Sequence, residues 1–99
     1  MKQNGVVEVT TFHLVRHKTL KDFINENKDI DTWLRARSGF RSRHIFQDDS
    51  GRIHDLIFWD KEIQANNSMK KLMEVFATSN VHALINQRTV NWFVQPVFN

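Results

Sequence analysis

The segment Gly39 to Asp60 reads G-F-R-S-R-H-I-F-Q-D-D-S-G-R-I-H-D-L-I-F-W-D, and its punctuation decides the fold. Gly39 is a helix stop, because glycine takes the left-handed conformation that ends helices. Phe40 to Gln47 is one alternating run. Asp48-Asp49-Ser50-Gly51 has an acid at the first turn position and glycine at the fourth, the pattern of a type I turn closed by a left-handed residue. Arg52 to Trp59 is then the hairpin partner, and Asp60 is placed to cap a new helix. The second run is apolar on both faces, with Leu56 and Phe58 on one and Ile53, Ile57 and Trp59 on the other. Asp55 interrupts the second set. Such a strand belongs in a sheet covered on both sides, with a polar point inside the covering where a small-molecule site can sit.

Working outward, Val6 to Val15 is rich in β-branched and aromatic residues and is predicted as strand one, with Phe12 and Leu14 on one face and Val7, Val9, Thr11 and His13 on the other. Thr19 with Asp22 is a short capping box, and Leu20, Phe23, Ile24, Ile30, Trp33 and Leu34 recur at helical spacing to about Arg37. After the hairpin, Ile63, Met69, Leu72, Met73 and Phe76 form the stripe of a second helix that reaches about Thr78. Ser79 or Asn80 caps a short turn through Val81, Leu84 and Ile85. Thr89 to Val97 alternates as strand four, where Pro96 requires an edge or a strand end.

The order strand, helix, strand, strand, helix, strand is the split βαβ arrangement of an α+β, ferredoxin-like fold, βαββαβ. Right-handed crossovers place both helices on one face of a four-stranded antiparallel sheet. The opposite face is also apolar, which predicts a homodimer whose sheets meet face to face as a dimeric α/β barrel.

Composition narrows the classes. With 99 residues, one domain spanning 1–99 is expected, and 40% hydrophobic against 25% charged residues describes an ordinary globular chain. No apolar run is long enough to span a bilayer, and Glu8 follows Val6 and Val7 at once, leaving no secretory h-region; a cytoplasmic protein without membrane contact is expected. The absence of cysteine removes disulfides and cysteine-based metal sites. The net charge of +3 is mild for a nucleic-acid binder, so no nucleic-acid partner is expected.

The residues resemble the antibiotic-biosynthesis-monooxygenase-like proteins of the dimeric α/β-barrel superfamily over nearly the whole chain. The carriers are F-H-L in strand one, T-L-K-D-F at the helix start, S-G-F-R-S-R, D-D-S-G, D-L-I-F-W-D and the closing T-V-N-W-F-V-Q-P-V. The resemblance implies a homodimer with one cavity per subunit between sheet and helices. It also implies that an enzyme on this scaffold is a cofactor-independent, monooxygenase-like oxidoreductase, with no cofactor and a small hydrophobic or aromatic substrate. The haem-degrading branch relies on a first-strand asparagine and on a tryptophan and a histidine in the later helical region. Here the first strand offers Thr10, Thr11 and His13, Met69 and its neighbours stand where the tryptophan is expected, and only His82 lies near the histidine. The competing class is a non-catalytic ligand-binding or structural dimer.

Asp55 is the sharpest candidate for chemistry. An even hairpin loop puts it opposite His44, whereas a one-residue bulge at Gly51 puts it on the same face as Arg43. Burial and a basic partner act on such a carboxylate in opposite senses, as general acids and bases require; a structural ion pair is the competing reading. Asp55, His44 and His13 are therefore the candidate catalytic residues, with Trp59, Arg43, Trp92 and His82 as candidate ligand-binding residues. His13, His17, His44, His54 and His82 have no metal-ligand spacing, and no metal is expected. Met69 and Met73 belong to the core stripe, and its end near Val81 to Ile85 suits a pliable pocket wall.

Overall fold

The computed structural model describes residues 1–99 and turns the alternating runs into four strands, β1 (Gln3–Leu14), β2 (Phe40–Gln47), β3 (Ile53–Trp59) and β4 (Ile85–Phe98). The helical stripes become α1 (Leu20–Glu26), α2 (Lys28–Arg35), α3 (Glu62–Val75) and α4 (Val81–Leu84). The sheet is antiparallel throughout with strand order β2-β3-β1-β4, the ferredoxin-like order, and the helices cover one face. No helix is long and apolar enough to cross a membrane.

The hairpin sets the register that the site depends on. Gly51 is left-handed (φ 87°), its N–H donates to the Asp48 carbonyl, and the Asp48 N–H donates to the Arg52 carbonyl. The Asp48 carboxylate also accepts from Ser50 and Arg52 and is paired with His54. The Ser50 hydroxyl and then His54 hold that carboxyl well below the usual range. With Gln47 opposite Ile53, Asp55 stands across from Ile45, and Arg43 across from Ile57. The bulged register is thus the one adopted.

Alternation then sorts every strand. Ile53, Asp55, Ile57 and Trp59 are buried under the helices, while His54, Leu56 and Phe58 are half-buried on the open face. Val6, Glu8 and Phe12 of β1 are buried on the helix side. The core joins Val6, Phe12, Ile53, Ile57 and Trp59 to Phe23, Ile30 and Leu34 of the first helical pair. Phe12 and Phe23 pack with ring centroids 5.1 Å apart, and Trp33 meets Phe76 edge-on at 5.8 Å.

Four predicted boundaries shift, each for a local reason. Helix one keeps its Thr19–Asp22 capping box but breaks at Asn27, whose φ of −94° and ψ of 0° end α1 and start α2. Asp60 does not cap α3, because its carboxylate is taken by Arg41; Lys61 is the N-cap and its N–H is received by Gln64 Oε1 at 3.0 Å. Strand β1 starts before Val6 because it crosses a register shift at Gly5 (φ 76°), where a Cβ would lie 2.5 Å from the Trp59 carbonyl oxygen. Strand β4 starts four residues before Thr89, since a second register shift returns Asn86 opposite His13. Pro96 lies in β4, an edge strand, as expected.

Candidate functional site

The helix face of the sheet and the helices above it enclose a cavity of about 340 Å³, lined mostly by apolar side chains. Its floor is β1, β3 and β4, with Thr10, Phe12, Ile57 and Val90 around the acidic residues Glu8 and Asp55. Phe23, Asn27 and Ile30 form one wall. Met69, Leu72 and Met73 form the other, and Val81, His82 and Ile85 close the end, where the sequence places a pliable wall. A larger cleft of about 410 Å³ runs outside this, between the first helical pair and β2, but only two of its eight lining residues are hydrophobic. Charged side chains paired in a groove suit ion pairing, and the apolar cavity is the better site for a small molecule.

Two buried carboxylates organise the floor. Asp55 accepts two hydrogen bonds from Arg43, Nε to Oδ1 at 2.9 Å and Nη2 to Oδ2 at 2.6 Å. The Arg43 side chain is 3% exposed and also reaches Asp31 at 3.3 Å. Burial works against the Arg43 charge, but the bonds and charge of Asp55, then those of Asp31, hold the guanidinium above its ordinary range. Asp31 is in turn paired with Arg35 at 2.8 Å.

Glu8 is the second carboxylate. It is 2% exposed, and its two oxygens accept from two indoles, Trp59 Nε1 to Oε1 at 2.9 Å and Trp92 Nε1 to Oε2 at 2.8 Å. Burial raises the Glu8 carboxyl above its ordinary value; the Trp92 and Trp59 bonds pull it down, Asp55 pushes it up and Arg43 lowers it. The signal for it lies in the parity of β1: Val6, Glu8, Thr10 and Phe12 alternate inward together.

The candidates from sequence divide into those at the cavity and those away from it. Asp55, Trp92 and His82 line it. Arg43 lies behind Asp55, and Trp59, fully buried, lies behind Glu8 rather than on the wall. His82 donates from Nε2 to the Phe76 carbonyl at 2.8 Å, since a carbonyl only accepts. The structure separates His44 from Asp55: the bulged hairpin turns His44 to the open face, where it packs edge-on against Phe58 at 6.0 Å. His13 is on that face too, at the end of β1, with its N–H bonded to Thr89 Oγ1 at 2.8 Å. No three histidine, aspartate or glutamate side chains converge as a metal set.

Glu8 makes the stability of the protein pH-dependent in a direction that can be stated. Between the ordinary glutamate value and its raised one, the folded chain holds the proton and the unfolded chain does not. The contribution is therefore present at low pH and is lost as pH rises through the folded value. The Tm advantage of the wild type over Glu8→Gln is expected to narrow as pH is raised from about 4 to about 8, because the variant lacks this proton. Asp31 and Asp48, whose carboxyls are lowered, act in both proteins and cancel. A difference that stays flat across the range would remove Glu8 from this role.

No protein-family model and no curated protein sequence matches the chain. Solved structures do. A candidate monooxygenase from Shewanella loihica PV-4 superposes with a TM-score of 0.72 at 13% identity, covering 100% of this chain and 99% of the other. A mutant form of SnoaB, a cofactor-independent oxygenase from Streptomyces nogalater, gives 0.75 at 11% identity over 97% and 95%. Rv0793 from Mycobacterium tuberculosis gives 0.72 at 16% identity over 97% of each chain. The chain shares the fold of these solved structures, the ferredoxin-like arrangement that the element order predicts.

Proposed function

We propose that this chain is the one-domain subunit of a cytoplasmic homodimer, and that each subunit binds a small hydrophobic or aromatic molecule between sheet and helices, on a scaffold that in SnoaB carries a cofactor-independent oxygenase. The observation that carries this reading is the cavity of about 340 Å³, apolar around a few convergent polar groups. Asp55 and His82 are its polar candidates from sequence and Trp92 its aromatic one. The dimer rests on the open sheet face, where Val7, Val9, Leu56 and Phe58 are only half-buried and Phe93 is exposed with no helix above them. A contiguous apolar face of this kind marks an interface.

Asp55 also supports a second reading, a binding dimer without catalysis, because both its oxygens are held by Arg43 as a structural pair would be. Oxygen uptake with a panel of phenols and quinols separates the two: consumption supports an oxygenase, and binding without consumption supports the second. Binding itself is read by calorimetric titration with naphthalene-sized aromatics. Met69→Trp, which fills the cavity, is expected to abolish the titration while the fold is kept. Unchanged titration in that variant places the ligand elsewhere, and a monomer in sedimentation at micromolar concentration overturns the dimer.

A further inference from the structure

The polar groups around the cavity are unequal in what they have left to offer a ligand. The donors are largely committed: Trp92 Nε1 to Glu8, His82 Nε2 to the Phe76 carbonyl, and Gln87 Nε2 to the His82 carbonyl at 3.2 Å. Arg43, behind the floor, is shared between Asp55 and Asp31. Free hydrogens remain on the Thr10 hydroxyl, the Asn27 amide and the second N–H of the Gln87 amide. Acceptors, by contrast, are in surplus. Each Glu8 oxygen takes one indole and keeps a further lone pair, and Asn27 Oδ1 is buried with no partner. Charge points the same way. Arg43 faces Asp55 and Asp31, Arg35 takes Asp31, and Glu8 has two neutral indoles and no cation in hydrogen-bond contact.

We infer that Glu8 is the recognition group of this cavity and that its ligand is an apolar molecule presenting a hydrogen-bond donor, an ammonium or a hydroxyl, to the Glu8 carboxylate. This rests on the reading of the cavity as a small-molecule site. The two indoles orient the carboxylate and leave its remaining lone pairs to a donor, while a carboxylate ligand would meet Glu8 and Asp55 with like charge and few free donors. Charge-assisted bonds in a largely apolar cavity are strong enough to dominate selection among ligands of one shape.

Four probes of one shape test it by calorimetry: naphthalene, 1-naphthylmethylamine, 1-naphthylmethanol and 1-naphthoic acid. The amine and the alcohol are expected to bind more tightly than naphthalene, the amine by about tenfold or more, the worth of one charge-assisted hydrogen bond. The acid is expected to bind more weakly than naphthalene. The amine and alcohol arms separate the two donor sources. In Glu8→Gln the ratio of amine to naphthalene affinity is expected to fall towards one. If that variant does not fold, Trp92→Phe serves: it releases Oε2 from its indole, and the same ratio is expected to rise. Naphthalene binding with an equally tight acid, or an amine ratio unmoved in either variant, overturns the inference and leaves the cavity reading intact. Failure of all four probes to bind overturns both.

Discussion

Replacing Arg43 by methionine is expected to lower the unfolding free energy by about 3–5 kcal/mol, the loss seen when one member of a buried ion pair is removed. The reason lies with the partner left behind. Asp55 is 10% exposed at its side chain and draws both its hydrogen bonds from Arg43, so the variant strands a carboxylate under the helices. A chain of this size has about 5–15 kcal/mol in total, so a large part of the folded population is at risk at moderate temperature. Urea unfolding at neutral pH, with the slope unchanged from wild type, measures the loss. Asp31 softens it little, because that residue is half-exposed and keeps Arg35.

The double variant Arg43→Met with Asp55→Leu is expected to recover most of what the single one loses, since replacing a whole buried pair by apolar groups is often neutral. Recovery identifies the cost as the unpartnered charge. If the double variant were instead no more stable than Arg43→Met, the guanidinium would act by packing β2 against α2, and the pair would not be the unit that matters. Ligand binding in the double variant adds a second measure: retention assigns Asp55 to structure, and loss with the fold intact gives it a place in recognition.

How much of this was legible in the residues can be seen by comparing Asp55 with Glu8. Asp55 interrupts an apolar alternation, Ile53, Ile57 and Trp59, so period two exposes it as an inward acid. Its partner was not fixed, because His44 and Arg43 are adjacent and a one-residue change in loop register exchanges their faces. Only the left-handed Gly51 chose between them. Glu8 has the same parity as Phe12, yet Val6 and Val7 precede it and Val9 follows it, so both faces look alike and the acid reads as a simple break. Its partners lie 51 and 84 positions away in sequence, a distance at which no local pattern operates. The early start of β4 was hidden for a related reason: it follows from the register shift that sets Asn86 opposite His13, a pairing that no local pattern reports. Element order and the helix-covered face, which depend on periodicity alone, were legible throughout.

Trp59→Ala is expected to match or exceed the loss at Arg43, about 3–5 kcal/mol for a large aromatic removed from a core. Trp59 is fully buried at the end of β3 and pairs with Val6 of β1 and Phe40 of β2, so three strands meet at one residue. Its ring packs edge-on against Phe40 at 5.8 Å, and its carbonyl closes against Gly5. Truncation opens a void beneath the helices and also leaves Glu8 Oε1 without its indole. Trp59→Phe keeps an aromatic ring in the core while removing the donor and part of the indole volume, so the pH dependence of its loss is what separates the two effects. A loss of about 1.5–3 kcal/mol in the phenylalanine variant is expected for a hydrogen bond to a charged acceptor. The loss should shrink as pH falls and Glu8 takes up a proton, which tells a missing donor from a packing fault. A phenylalanine variant as stable as wild type at neutral pH would mean that Trp92 alone satisfies Glu8, and that Trp59 serves the core without setting the carboxylate.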